Sequence, residues 1–141
     1  MQVGDLTKDA LRARLGGTGL KLRTGPFVTH VHSKVSAVVD GIATHYAAHT
    51  LEAHDAFADF HVGVERPRTL RRWFRPQVTF TIDHASPFNA LPGGQGFPML
   101  EWGMNWCIST HCHQYLMVHS AVVERGGTAM VFHCDRSDGT R

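Results

Sequence analysis

The chain has 141 residues, 43% hydrophobic and 18% charged, with a formal net charge of +2. That length and apolar share suit one globular domain with a modest core, and the near-balanced charge speaks against an acidic tail or a strongly basic nucleic-acid binder. Three cysteines without a CxxC pair speak against a disulfide framework and make a reducing cytoplasm the expected compartment. The opening MQVGDLTKDALRARL lacks a basic start followed by an apolar core, so no signal peptide is expected. No apolar run approaches the ~18 residues needed to span a membrane.

In chain order, the first predicted element is a short helix in DLTKDALRARLGG. Leu6, Leu11 and Leu15 fall on one face, Asp5 or Thr7 is placed to cap it, and Gly16-Gly17 to end it. LKLRTGPFVTHVH predicts two short strands around Gly25-Pro26. SKVSAVVDGIATHYAAH is the clearest helix: Val35, Val38, Val39, Ile42 and Tyr46 recur at helical spacing, with Ser33 as N-cap. FHVGVE turns Phe60, Val62 and Val64 to one side, and QVTFTID does the same with Val78, Phe80 and Ile82. Both predict half-buried antiparallel strands. SPFNALPGGQGFP predicts a loop. MLEWGMNWCISTH predicts a helix packed on a sheet through Met99, Trp102, Trp106 and Cys107, with Gly103 as its weak point. YLMVHSAVV and TAMVF flank ERGG, which has the composition of a hairpin turn. The expected fold is α+β: a mainly antiparallel sheet, two main helices and a C-terminal β-hairpin.

Eleven histidines call for an account. His30 and His32 share one face of a strand, because strand side chains alternate, and such a pair suits a metal ion. His111, His113, His119, His133 and Cys134 add nitrogen and sulfur donors. A zinc site needs three or four donors converging tetrahedrally. Neither HExxH nor CxxC occurs, and His45 and His49, one helical turn apart, have no glutamate in that pattern. The prevailing reading is a set of scattered surface or half-buried histidines. No metal is expected, and His30, His32, His111 and His113 are the candidates that remain.

ERPRTLRRWFRPQ carries Arg66, Arg68, Arg71, Arg72 and Arg75 around Trp73 and Phe74. Arginine forks suit phosphate, and aromatic rings suit base stacking. With no matching basic surface elsewhere, the stretch reads as a solvated connection with its aromatics tucked onto the core, and a nucleic-acid partner is not expected. Cys107 and Cys112 lie near His111 and His113 in sequence. Adjacency alone does not make a Cys–His pair, and Cys107 is expected to face the core.

The stretch EWGMNWCISTHCHQYLMVHSAVVERGGTAMVF, residues 101–132, resembles the entry to the kinase core of the HPr-kinase-related proteins, bacterial relatives of HPr kinase/phosphorylase. The carrying features are Glu101-Trp102-Gly103, Asn105-Trp106-Cys107, His119-Ser120-Ala121 and the run from Val122 to Gly127. Upstream, Gly25-Pro26-Phe27, FADFHV at 57–62 and LRRWFRPQVTF at 70–80 are similar to the N-terminal region of the same family. The resemblance spans about Gly19 to Phe132.

In that family the strand matching TAMVF leads into a phosphate-binding loop, G-x-x-x-x-G-K-S/T, whose backbone N–H groups, lysine and hydroxyl cradle phosphate. Here the matching position reads HCDRSDGTR, with one glycine and no lysine. The resemblance therefore implies an N-terminal region cut off before the loop: an accessory α+β part at 1–98, a helix and hairpin entering the core at 99–134, and a disordered tail at 135–141. Intact relatives are implied to be ATP-dependent, magnesium-using protein kinases acting on a small protein partner. This chain is expected to hold no cofactor and no catalytic residue. His119, Arg71 and Arg72 are the candidates nearest the phosphates or the core entry, and the hairpin is the candidate surface for self-association. A His/Cys metal-binding enzyme or module, and a phosphate- or nucleic-acid-binding module, are the alternatives.

Overall fold

The computed structural model describes residues 1–67, 74, 76–83, 85–118 and 120–132. Helix α1 (Lys8–Gly16) begins where Thr7 Oγ1 accepts a hydrogen bond from the Ala10 N–H at 3.2 Å and ends at Gly17. It buries Leu11 and Leu15. Strands β1 (Leu20–Thr24) and β2 (Phe27–Ser33) form an antiparallel hairpin around Gly25-Pro26. Helix α2 (Ser36–His45) follows, with Val38, Val39 and Ile42 buried. The chain then returns to β3 (Phe60–Glu65), which lies parallel to β2. Strand β4 (Gln77–Ile82) pairs antiparallel with β3, and the two-residue β5 (Leu91–Pro92) closes the order β1-β2-β3-β4-β5. Helix α3 (Gly96–His111) packs on β3, β4 and α2. A separate two-stranded sheet, β6 (Ala121–Arg125) and β7 (Thr128–Phe132), ends the described chain.

The α+β class is as expected, but the five-stranded sheet is mixed rather than mainly antiparallel. A strand–helix–strand crossover returns the chain in its original direction, and α2 supplies that crossover between β2 and β3. Ser33 is not a helix cap. It stays in β2, where its Oγ donates to the Val64 carbonyl at 2.7 Å and accepts from the Val35 N–H at 3.1 Å. Helix α2 therefore starts three residues beyond Ser33, behind Val35, which makes no side-chain cap. The stretch expected to be loop holds β5 and the first turn of α3.

Strand alternation divides the sheet into two unlike faces. Val31, Val62, Val64, Val78 and Phe80 are each 3% exposed or less and face the helices. Helix α3 meets them with Met99, Leu100, Gly103, Met104 and Cys107. Trp102 lies off that stripe, half exposed and stacked on Phe88 with ring centroids 4.2 Å apart. Trp106 is partly buried and packs against the core, so of the four expected contacts Met99, Trp106 and Cys107 are made and Trp102 stands outside them. The other face carries Lys21 and Arg23 on β1, His30 and His32 on β2, His61, Gly63 and Glu65 on β3, and Thr79 and Thr81 on β4. Among the described residues no helix is long and apolar enough to cross a membrane.

Candidate functional site

The polar face of the sheet gathers three histidines at the parallel junction. His30 and His61 are register partners, and His32 lies one pleat further along β2, opposite Gly63. The Nδ1 atoms of His30 and His61 are 3.1 Å apart, a hydrogen-bond distance. His30 Nε2 lies 2.9 Å from the Thr18 carbonyl oxygen. The His30 and His32 rings meet edge to face with centroids 4.4 Å apart.

The α1–β1 turn closes this group from above. Gly19 has φ +83° there, and a Cβ on it would overlap the Nε2 atoms of both His30 and His32. Glycine is required at 19 on both counts. Below the rings, a shallow cleft of about 420 Å³ is lined by His30, His32, His61, Glu65, Thr81 and Asp83. Gly63 forms its floor: a Cβ there would lie 2.6 Å from Thr81 Oγ1.

Burial is the main force holding the His30 pKa below its usual value. The nearby His32, His61 and Lys21 act in the same direction, and the contact with the Thr18 carbonyl opposes them. These surroundings favour the neutral form of His30. His30 shows a different edge to each neighbour, Nδ1 to His61 and Nε2 to Thr18. The three rings accordingly do not point at a common centre. Among the described residues, no three His, Cys, Asp or Glu side chains are grouped as a metal ion requires.

The other candidate metal ligands lie elsewhere. His111 ends α3, where its Nδ1 donates to the Cys107 carbonyl at 3.0 Å and its ring packs on Phe60, whose side chain faces the helices. His113 is exposed in the turn beyond. The sheet itself thus separates His111 from His30 and His32.

Cys107 faces the core as expected, fully buried, and Cys112 is buried beside it in sequence. Burial, reinforced by the Asp83 carboxylate, pushes the Cys107 thiol up to about 11, and burial with Asp59 pushes Cys112 up. Neither is an activated nucleophile, because the thiolate is the reactive form. Arg71, Arg72 and His119 lie outside the described residues, as do Arg68, Trp73, Arg75, His133 and Cys134. Of the arginine stretch, Arg66 lines a second cleft with His32, Lys34 and Glu65, and Phe74 is 90% exposed rather than tucked onto the core.

Sequence reasoning missed His61. FHVGVE was legible through its apolar alternation, and that alternation already puts His61 on the polar face. The register that sets it against His30 depends on where the crossover returns β3, which no local signal encodes. No protein-family model, no curated protein and no solved structure matches the chain.

Proposed function

We propose that this chain is a non-catalytic accessory module of an HPr-kinase-related protein, and that the β6–β7 hairpin is the element that joins it to a nucleotide-binding core. One observation carries the reading. Every residue of β6 and β7 is exposed, including Val122, Val123, Met130, Val131 and Phe132 at 53–58%. Val123 faces Met130 on one side of the hairpin and Val122 faces Val131 on the other, so both faces are apolar. Strands that are apolar on both faces belong inside sheets covered on both sides. An isolated hairpin is marginally stable in water, so this one is suited to become part of a larger sheet.

The intact family's chemistry, phosphoryl transfer from Mg-ATP to a small protein, would reside in that core. Such transfer rests on a phosphate-cradling loop, its lysine and a metal. The 141 residues contain no Gly-Lys dipeptide, and the paired glycines at 126 and 127, with φ +61° and +80°, are spent on the hairpin turn. The test is isothermal titration with Mg-ATP at physiological salt, followed by a phosphoryl-transfer assay. No specific binding below millimolar concentration is expected, where binding is worth only about 4 kcal/mol. Micromolar affinity or measurable transfer would overturn the proposal.

A further inference from the structure

Hydrogen-bond logic fixes the protons on two of the clustered histidines. The Thr18 carbonyl only accepts, so the hydrogen of the 2.9 Å contact sits on His30 Nε2. A neutral His30 then has a bare Nδ1. The 3.1 Å contact to His61 must be made by an N–H on His61 Nδ1. His61 Nε2 is left as a lone pair facing the cleft of Glu65, Thr81 and Asp83.

A proton taken up from the cleft at His61 Nε2 can be shared without breaking anything. His61 becomes the imidazolium and still donates its Nδ1 hydrogen to the bare Nδ1 of His30, whose own charging burial opposes. That hydrogen lies between the two nitrogens and can be shared with His30, so the Nδ1–Nδ1 bond survives. A second proton has no such route. Both Nδ1 atoms then carry hydrogen, and two like charges face each other across the junction.

We propose that His30 and His61 act as one proton-binding unit on the open face of the sheet. The first proton is held within the pair, and the second breaks this side-chain contact across the β2–β3 ladder, making this face an acid-sensitive clasp. The surroundings favour a stepwise response. Lys21 on β1 and His32 on β2 lie beside the pair and, after burial, oppose a charge on His30. Glu65 on β3 and Asp83 after β4 line the same cleft as His61. Arg14 on α1, with Glu52 and His54 from the crossover, borders His30 on its other side. Glu52 is engaged by Arg23 at 2.6 Å.

Long-range proton–nitrogen NMR of the histidine rings across the acid-to-neutral range tests this on the full chain. At the basic end His61 should show the Nδ1–H tautomer, against the Nε2–H form that free side chains favour in water, and His30 the Nε2–H tautomer. The His30 curve should titrate in two steps, as interacting sites do. His61→Asn keeps an amide donor near the Nδ1 position but cannot take a charge, so His30 should keep its tautomer and titrate in one step. His32→Asn should leave both tautomers in place. A dispersed amide spectrum checks that each variant is folded. Both rings in the Nε2–H form, single-step wild-type curves, or a His30 curve unchanged by His61→Asn would each overturn the proposal.

Discussion

Gly103 lies so close to Phe80 that a side chain would not fit: a Cβ at 103 would overlap Cδ2, Cε2 and Cζ of the ring. This contact seats α3 on β4. The residue that looked like the weak point of the helix is the one that lets it approach the sheet. Phe80 is fully buried and cannot swing into solvent. Alanine is the better helix former by about 1 kcal/mol, yet overpacking a close-fitted core costs about 1–3 kcal/mol or more. The difference between the two leaves Gly103→Ala less stable in urea unfolding by about 2 kcal/mol at the upper end of that cost, the end expected where the overlapped ring has no room to move. Gly94→Ala, whose Cβ would meet nothing within 4 Å, should change stability by less than about 0.5 kcal/mol. Equal effects at both positions would contradict the packing of α3.

The two cysteines of α3 and its C-terminal end give a second test. Their thiols are buried and held in the unreactive protonated form, Cys107 with its pKa near 11. In a Cys134→Ser background, a thiol reagent at mildly basic pH should label both slowly in the native chain. It should label both at once in denaturant. Fast native labelling of Cys107 would place α3 off the sheet or show it opening readily.

Local signals were readable and long-range ones were not. ERGG specifies its hairpin because two adjacent glycines adopt positive φ at a two-residue turn. Thr7, Leu11 and Leu15 specify α1 within one stretch of chain. The parallel pairing of β2 and β3 was missed because it is decided by the landing point of a crossover 26 residues long, Lys34 to Asp59. That one error hid the histidine cluster, since His30 and His61 are 31 positions apart and meet only in the parallel register. Ser33 misled for a related reason. Its hydroxyl bridges β3 and the start of the crossover, a role that only tertiary pairing creates.

The lowered pKa of His30 makes stability depend on pH. In the unfolded chain this ring takes its proton near the ordinary 6.5; in the folded chain, where burial resists the charge, it does so at lower pH. As pH falls through about 6.5 the unfolded state binds the proton first. Stability is therefore lost progressively from there down to the folded value, and is fully present above 6.5. His30→Gln removes this titration. The urea midpoint of the wild type should fall more between slightly basic and mildly acidic buffer than that of His30→Gln. Parallel falls in the two proteins would show that other histidines dominate the acid response.

Val123 and Met130 face each other across β6 and β7, and both are more than half exposed. They contribute little to the main core, so charges there should be tolerated: Val123→Lys with Met130→Lys should change the stability of the five-stranded body by less than about 0.5 kcal/mol. Their effect on association should be large. An exposed apolar hairpin with open edges can pair with the same hairpin of a second copy. Sedimentation velocity across a wide concentration range should show the wild type associating as concentration rises. The double lysine variant should remain a monomer, because lysines on an edge oppose strand addition by charge and hydration. Amide exchange supplies the independent readout. Hairpin amides should exchange fast in dilute wild-type protein and slow down with concentration, while those of β2 and β3 stay unchanged. A wild type that remains monomeric, with slow hairpin exchange at every concentration, would mean that β6 and β7 are stable alone and need no partner, and the docking role proposed for them would fall.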